Sequence, residues 1–361
     1  MTRWAIDIDR DDITQAVVSD APEQPLAEGE IEVAVELFAM TANNVTYAAL
    51  GKPMGFLGPD AGYWDFFGDR GAPGRLPVWG FARVTRSTVP GLAEGEELYG
   101  YWPLASHAVL RPERVGAVGF VDAMPRRQAL PAFYNRYQRV SALDDYDVAD
   151  RDYWPVFRPL YLTGWLIADQ LFDEQENLAQ VIATAASSKT ALGFAHAMRE
   201  QTKRPLLIGL TSPGSAAFVA ETGLYDRVVT YDAVGEIAIG GETALIDFAG
   251  NPAVAAEVAA RLDESLTFAM GVGKTHWEAT GEGPRMAFFF APARIEKRGA
   301  EWGGDAFRAA IGESWGRFMR DVRDLTRLDR REGADGALVA YREAVTGTAD
   351  PRASVIVAGL A

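Results

Sequence analysis

The sequence predicts an α/β protein of two domains, a small β-rich barrel followed by a parallel sheet with helices on both faces. Three observations carry that expectation. The chain, at 361 residues, exceeds an ordinary single domain. Its first ~120 residues read as short runs of alternating apolar and polar residues, punctuated by Pro and Gly. From about 165 to 285, strand-length apolar runs alternate with helical ones, which calls for a parallel sheet covered on both sides.

In the first region, Glu30–Phe38 alternates as a half-buried strand should. Leu76–Ser87 is a second strand, entered through Pro77, and Gly95–Trp102 and Ser106–Leu110 continue the series. Residues 120 to 165 are dense in aromatics, among them Phe133, Tyr134, Tyr137, Tyr146, Trp154 and Tyr161. The strands expected next are Gln180–Ala185, Pro205–Thr211, Arg227–Tyr231, Thr243–Ala249 and Ser265–Gly271. Helices fit Lys189–Glu200, Ser215–Thr222 and Pro252–Leu262. An apolar run at Met286–Phe290, a helix over Asp305–Leu325 and a last strand at Ser354–Val357 complete the chain, with no internal repeat.

Composition excludes several function classes. A net charge of −15, from 35 basic and 50 acidic residues, argues against nucleic acid or an anionic membrane surface as partner. No window of 18 apolar residues exists and the N-terminus is no secretory signal, so the cytoplasm is the expected compartment. With no cysteine, the chain has no disulfide, no cysteine nucleophile and no four-cysteine zinc site. The three histidines, His107, His196 and His276, are too scattered for a metal motif, so no metal is expected. His107 and His196 are read as structural, leaving His276 as the histidine nearest a site.

The most informative stretch is Gln180–Ala191, where an apolar strand stops at Ala185-Ala186-Ser187-Ser188-Lys189-Thr190 and a helical pattern begins at once. Strand, tight turn and helix N-terminus form the arrangement that aims backbone N–H groups at a phosphate. Ser187, Ser188, Lys189 and Thr190 are therefore candidate phosphate contacts, with an ordinary serine-capped helix as the plain alternative. A degenerate P-loop is a third reading, since Ala183-x4-Ser188-Lys189-Thr190 mimics its spacing with both glycines replaced.

The next strand ends at Thr211-Ser212-Pro213-Gly214-Ser215 with no acidic residue. A carboxylate there accepts ribose hydroxyls in NAD-specific folds and would repel a 2′-phosphate. Thr211, Ser212 and Ser215 offer hydroxyls instead, which favours NADP(H) over NAD(H), an ordinary capped turn being the alternative. Gly250 and Gly271 follow two further strand ends, where ligands of open α/β sheets bind, or are simple glycine turns. For chemistry, Tyr47 is the candidate: a phenol can donate a hydrogen bond to an enolate-like oxygen or supply a proton. Asn43 and Asn44 are candidates to hold a carboxamide or a substrate carbonyl, and a core role for Tyr47 stays open. Tyr63, Trp64 and Tyr134 are candidates to line a pocket for a flat or lipophilic substrate, or to make core; Arg136 and Arg139 could meet a substrate carboxylate or water.

Taken in order, these segments resemble the medium-chain dehydrogenase/reductase superfamily in its zinc-free, quinone oxidoreductase-like branch. Within it the chain is similar to the bacterial family of unknown function numbered 2855. Ala42–Gly51 resembles the segment that places an Asn and a nearby polar residue against the nicotinamide. Leu76–Val84 resembles the P-x-x-x-G-x-E-x-x-G strand without its Glu, and Leu92–Gly100 resembles a G-D-x-V-x-G strand. The resemblance implies a GroES-like β-barrel domain (1–150, with 285–361 returning to it) plus a Rossmann-type doubly wound domain (151–284). It places a pyrophosphate at Ser187–Thr190, sets Tyr231 where NADP-using relatives carry a Tyr, and likens Thr163 to the Thr beginning the helix beside the cofactor. The implied function is zinc-independent, NADP(H)-dependent delivery of hydride to an activated alkene, enone or quinone, with a small-molecule substrate and a homodimer expected by analogy. A non-catalytic nucleotide-binding or sensor protein that keeps the fold is the alternative, because fold alone does not settle function.

Overall fold

A computed structural model describes residues 3–53, 57, 60–68, 71–273 and 283–359. By its contacts the chain divides into two units: Met1–Val156 with Leu328–Ala361, and Phe157–Arg327.

The first unit is antiparallel. β1 (Trp4–Ile8) pairs with β2 (Ala16–Asp20) as a two-stranded sheet. A larger sheet is built on β3 (Ile31–Met40), β4 (Pro77–Ser87), β5 (Glu97–Pro103), β6 (His107–Leu110), β7 (Pro112–Gly116), β8 (Gly119–Asp122) and β9 (Arg136–Arg139). Helix α1 (Ala42–Ala49) follows β3 directly, after a capping box closed by Thr41 and Asn44. The alternation of β3 predicts a half-buried strand, yet β3 is buried along almost its whole length. Its acidic residues face arginines rather than water. Glu32 accepts from Arg86 Nε at 3.0 Å and pairs with Arg3, and Glu36 accepts from Arg83 Nε at 2.6 Å. Those partners come from other segments of the unit, so Glu32 is buried and Glu36 half-buried in ion pairs whose arginines stay partly exposed.

The second unit carries six parallel strands: β10 (Gln180–Ala183), β11 (Leu206–Thr211), β12 (Arg227–Thr230), β13 (Thr243–Asp247), β14 (Leu266–Gly271) and the short β15 (Ala287–Phe288). Their spatial order is β12-β11-β10-β13-β14-β15, so the winding reverses between β10 and β13. That reversal makes the sheet doubly wound and opens a crevice at the carboxyl ends of those two strands. Helices α2 (Trp154–Glu174), α3 (Lys189–Arg199), α4 (Pro213–Glu221), α5 (Pro252–Leu262), α6 (Ala291–Trp302) and α7 (Gly304–Leu325) complete the element list. Strand periodicity sorts the core into two layers. Val181, Ala183, Leu207, Ala244 and Ile246 pack with Leu192, Phe194 and Ile311, whereas Ile182, Ile208, Leu210 and Leu245 pack with Ala255, Val258 and Leu262. Each large apolar side chain so buried contributes about 1.5–3 kcal/mol.

The chain then returns to the first unit with β16 (Arg327–Glu332), α8 (Gly333–Thr346) and β17 (Ala353–Ala358), β17 pairing antiparallel with β3. The fold class is the expected one, a GroES-like β unit plus a Rossmann-type parallel sheet. The return lies later than the 285 read from sequence, because α6 and α7 pack on the parallel-sheet unit. Arg294 Nε donates to Asp169 at 2.7 Å, Arg298 Nε donates to the same carboxylate at 2.8 Å, and Phe307 and Ile311 enter the parallel-sheet core. α6 is held largely by charge pairs, and the residues it buries are Arg294 and Arg298, so an apolar stripe alone does not reveal it.

Candidate functional site

Nearly all residues proposed from sequence to hold a cofactor stand at one edge of the parallel sheet. Ser187–Thr190 follow β10, Thr211, Ser212 and Ser215 close β11 and open α4, and Tyr231 follows β12. Gly250 follows β13 and Gly271 ends β14. The Thr163 expectation is corrected: this residue does not begin a helix but lies inside α2, its hydroxyl donating to the Pro159 carbonyl at 2.9 Å. The helix starts earlier, at Trp154, and runs through Pro159, so the Thr163 hydroxyl bonds back to the carbonyl four residues before it.

The turn after β10 is defined by hydrogen bonds. Ala185 adopts φ +43°, the left-handed region that glycine enters freely and alanine does not. Its N–H donates to the Tyr231 hydroxyl at 3.1 Å. The Ala186 N–H donates to the Leu210 carbonyl at 3.2 Å, and the Ser188 N–H donates to the Ala185 carbonyl at 2.8 Å. Ser188 caps α3, accepting from the Ala191 N–H at 3.3 Å. The backbone N–H groups of Ser187 and Thr190 have no protein partner among the described residues. Two unsatisfied donors at the positive end of an eleven-residue helix are a fit for an anion. Lys189 is the first residue of that helix and half-buried.

Three residues that sequence reasoning did not single out for the cofactor hold this turn in place. The Thr184 hydroxyl donates to Asp247 Oδ1 at 2.5 Å, and the same oxygen accepts from the N–H groups of Ala249 at 3.1 Å and Gly250 at 3.2 Å. Asp247 is thus engaged by the backbone of the β13 turn. Tyr225 is buried and its hydroxyl donates to the carbonyls of Ala186 at 3.0 Å and Ala191 at 3.1 Å. Nothing local marks Tyr225, because its partners lie 39 and 34 residues away. Burial pushes the Tyr231 hydroxyl up from its ordinary pKa, partly offset by the Ala185 N–H, so it stays protonated near neutral pH.

At the second turn, Thr211 is buried at the strand end and the Ser212 hydroxyl donates to Ser215 Oγ at 3.2 Å. No carboxylate belongs to this turn. α2 and α3 touch backbone to backbone beside the first turn: a Cβ on Gly164 would stand 2.4 Å from Phe194 N and 2.7 Å from the Thr190 carbonyl oxygen.

In the other unit, α1 presents Asn43 and Tyr47 one turn apart, with Asn43 Nδ2 donating to the Tyr47 hydroxyl at 2.6 Å. Asn44 does not join them. Its Oδ1 accepts from the Thr41 N–H at 2.8 Å and its Nδ2 donates to the Pro77 carbonyl at 3.0 Å, so it anchors the start of α1. The Tyr47 ring lies 4.5 Å from Tyr63 and 5.6 Å from Tyr101, and the Tyr63 and Tyr134 hydroxyls are 3.4 Å apart. Burial raises the pKa of Tyr47, with the Asn43 bond opposing it, and burial raises Tyr63 and Tyr134 further. All these phenols therefore remain proton donors at neutral pH. Trp64 stands apart, sealed in a slot so narrow that a Cβ on Gly51 would meet its Nε1 at 2.1 Å.

The remaining charged candidates are placed differently. Arg136 is exposed, whereas Arg139 donates to the carbonyls of Gly116 at 2.9 Å and Gly91 at 2.7 Å and pairs with Glu96. His107 bonds Ser106 Oγ at 2.9 Å, and His196 lies between the Tyr161 hydroxyl at 3.5 Å and Asp321 Oδ2 at 3.3 Å. His276 lies outside the described residues. Among the described residues no three His, Asp or Glu side chains converge to hold a metal, and no helix is long and apolar enough to cross a membrane.

A GroES-like unit interrupted by a doubly wound parallel sheet defines the medium-chain dehydrogenase/reductase fold, and solved structures share it. CurA from Vibrio vulnificus, solved in complex with NADPH, is similar with a TM-score of 0.62 at 12% identity, covering 98% of each chain. CurK enoyl reductase gives 0.56 at 14% identity over 99% of each chain. The YhdH oxidoreductase from Salmonella enterica, in complex with NADP, gives 0.52 at 14% identity over 98% of this chain and 99% of that one. At such identities the likeness is one of fold. Within that class, residues 38–350 match the family described as "Protein of unknown function (DUF2855)", and the chain belongs to this family. No curated protein matches the sequence.

Proposed function

We propose that the chain is a zinc-independent, NADP(H)-dependent oxidoreductase that reduces an activated alkene, enone or quinone. The observation that carries this is the turn after β10, where Ser187 and Thr190 offer N–H donors that have no protein partner among the described residues, at a helix N-terminus. A diphosphate would be held there by those amides, by the hydroxyls of Ser187 and Thr190 and by the charge of Lys189. Thr211, Ser212 and Ser215 would receive a 2′-phosphate of roughly two negative charges without a carboxylate to repel it. Gly250, Gly271 and Tyr231 would wall the same edge, and Thr163 would act from inside α2. The fold likeness to proteins solved with NADPH and NADP supports the same cofactor.

When bound, the reduced nicotinamide supplies a hydride. Tyr47 is assigned as the group that donates a hydrogen bond, then a proton, to the enolate oxygen formed on the substrate, and Asn43 orients its hydroxyl. Asn44 acts through the helix start, Tyr63 and Tyr134 supply an apolar surround suited to a flat substrate, and Trp64, sealed against Gly51, serves the core instead. A cytoplasmic homodimer completes the proposal.

A second reading is favoured by one observation: Tyr47, Tyr63 and Tyr134 are all buried ring against ring. A binding protein or sensor without turnover fits that closure. Quenching of the nine Trp by NADPH and NADH, followed by NADPH oxidation across a panel of enones and quinones, separates the two. Indifference to both nucleotides defeats both readings, and binding without oxidation leaves the sensor.

A further inference from the structure

We propose that Tyr225 is a positioning residue for the phosphate turn. It orients the peptide joining Ala186 to Ser187 so that the Ser187 N–H is presented to a bound diphosphate. This rests on the nucleotide-binding reading above and deepens it.

In a planar trans peptide the C=O and N–H point in opposite directions. The Ala186 carbonyl accepts from the buried Tyr225 hydroxyl at 3.0 Å. The N–H of the same peptide, that of Ser187, must then point away from Tyr225, and among the described residues it has no protein partner. The carbonyl is turned inward by a phenol so that the donor is turned out. The same hydroxyl reaches the Ala191 carbonyl at 3.1 Å, which ties the turn to the first turn of α3. Its single proton is shared between the two carbonyls.

The position of the phenol is built in from β11. A Cβ on Gly209 would stand 2.8 Å from Tyr225 Cγ and 3.1 Å from Ala186 Cβ, so this glycine makes the space in which the ring lies against the turn. The chain of cause runs from Gly209 to Tyr225, to the Ala186 carbonyl, to the Ser187 N–H. A turn without glycine has little freedom to let its peptides reorient around a ligand, and here Ala185 is already at φ +43°. Such a turn needs its peptide planes set in advance. Burial also raises the Tyr225 pKa, so the hydroxyl keeps its proton throughout the neutral range.

The test is calorimetric titration of wild-type and Tyr225→Phe protein with three probes: NADPH, inorganic pyrophosphate and adenosine 2′-monophosphate. Tyr225→Phe should weaken NADPH and pyrophosphate about ten-fold, the scale of one charge-assisted hydrogen bond, and leave adenosine 2′-monophosphate within two-fold. Gly209→Ala, which keeps the phenol but displaces its ring, should give the same selective loss and serves if Tyr225→Phe folds poorly. Equal weakening of all three probes would mark Tyr225 as merely structural and overturn the inference, as would unchanged pyrophosphate binding in both variants. Wild-type protein that binds neither NADPH nor pyrophosphate would overturn the nucleotide reading and this inference with it. Wild-type binding that both variants retain would overturn the inference alone.

Discussion

The Thr184 hydroxyl donates to Asp247 Oδ1 at 2.5 Å, joining the carboxyl ends of β10 and β13 where the sheet reverses its winding. Both side chains are buried, and the same oxygen collects the Ala249 and Gly250 amides. Thr184→Val keeps the volume and removes the donor. It should lower unfolding stability by about 1.5–3 kcal/mol, the range for hydrogen bonds to charged groups. Urea denaturation at neutral pH measures this, and a loss under about 0.5 kcal/mol would mean the carboxylate is satisfied without Thr184.

Tyr47→Phe removes the assigned proton donor and little volume. With a substrate in hand, kcat should fall about 10²–10⁴-fold while NADPH affinity stays within about two-fold. Asn43→Ala should cost less, about ten-fold, because it only orients the hydroxyl. A Tyr47→Phe protein with wild-type kcat would place the proton donor elsewhere.

Cofactor preference can be inverted at the second turn. Ser212→Asp puts a carboxylate at the end of β11, where it repels a 2′-phosphate and can accept ribose hydroxyls. NADPH affinity should drop about ten-fold or more and NADH should gain relative to it. Parallel fluorescence titrations give the ratio; an unchanged ratio would remove this turn from the binding site.

Gly164→Ala tests the closeness of α2 and α3. The new Cβ would stand 2.4 Å from Phe194 N and 2.7 Å from the Thr190 carbonyl, both backbone atoms that cannot step aside without moving a helix. Overpacking of this kind costs about 1–3 kcal/mol. Thermal unfolding reads it, and a Tm equal to wild type would contradict the packing described.

Acid should act on the first unit through Glu32. Burial alone would raise its pKa, but hydrogen bonds from Arg3 and Arg86 outweigh that and hold it at about 2, below the ordinary 4.5. A carboxylate whose folded pKa is depressed contributes stability that is present above its unfolded pKa and lost as pH falls through the folded one. The contribution, about 2–3 kcal/mol, should therefore fade between pH 4.5 and about 2. Glu32→Gln should be less stable at pH 7 and flatter across that window in denaturation profiles; parallel profiles for the two proteins would refute the assignment.

The parallel sheet was largely legible in the chain. Its strands are apolar on both faces, so Gln180, Leu206 and Thr243 open runs that nothing else in the region imitates. Pro252 and Leu262 bound α5 as read, since proline at a helix start is a local signal. α8 escaped notice although Ala337, Ala340, Tyr341 and Val345 are spaced for one face, because β16 before it, Arg-Leu-Asp-Arg-Arg-Glu, has no apolar period to frame it. α6 was hidden for a different reason: it binds through Arg294 and Arg298, so the face it buries is marked by charged residues rather than apolar ones.

Of the candidate site, local sequence determined the turn itself: an apolar strand, small hydroxylated residues, a helix start, and a second turn lacking acid. Tertiary structure decided how that turn is held, through Tyr225 on the Ala186 carbonyl, Tyr231 on the Ala185 amide and Asp247 under Thr184. It also assigned Asn44 to the backbone and left Asn43 with Tyr47. The division follows from distance along the chain. Strand and helix signals arise between residues a few positions apart, whereas each of these hydrogen bonds, the short Asn43–Tyr47 one aside, joins residues tens of positions apart. Such bonds exist only once the sheet has brought its strands into register.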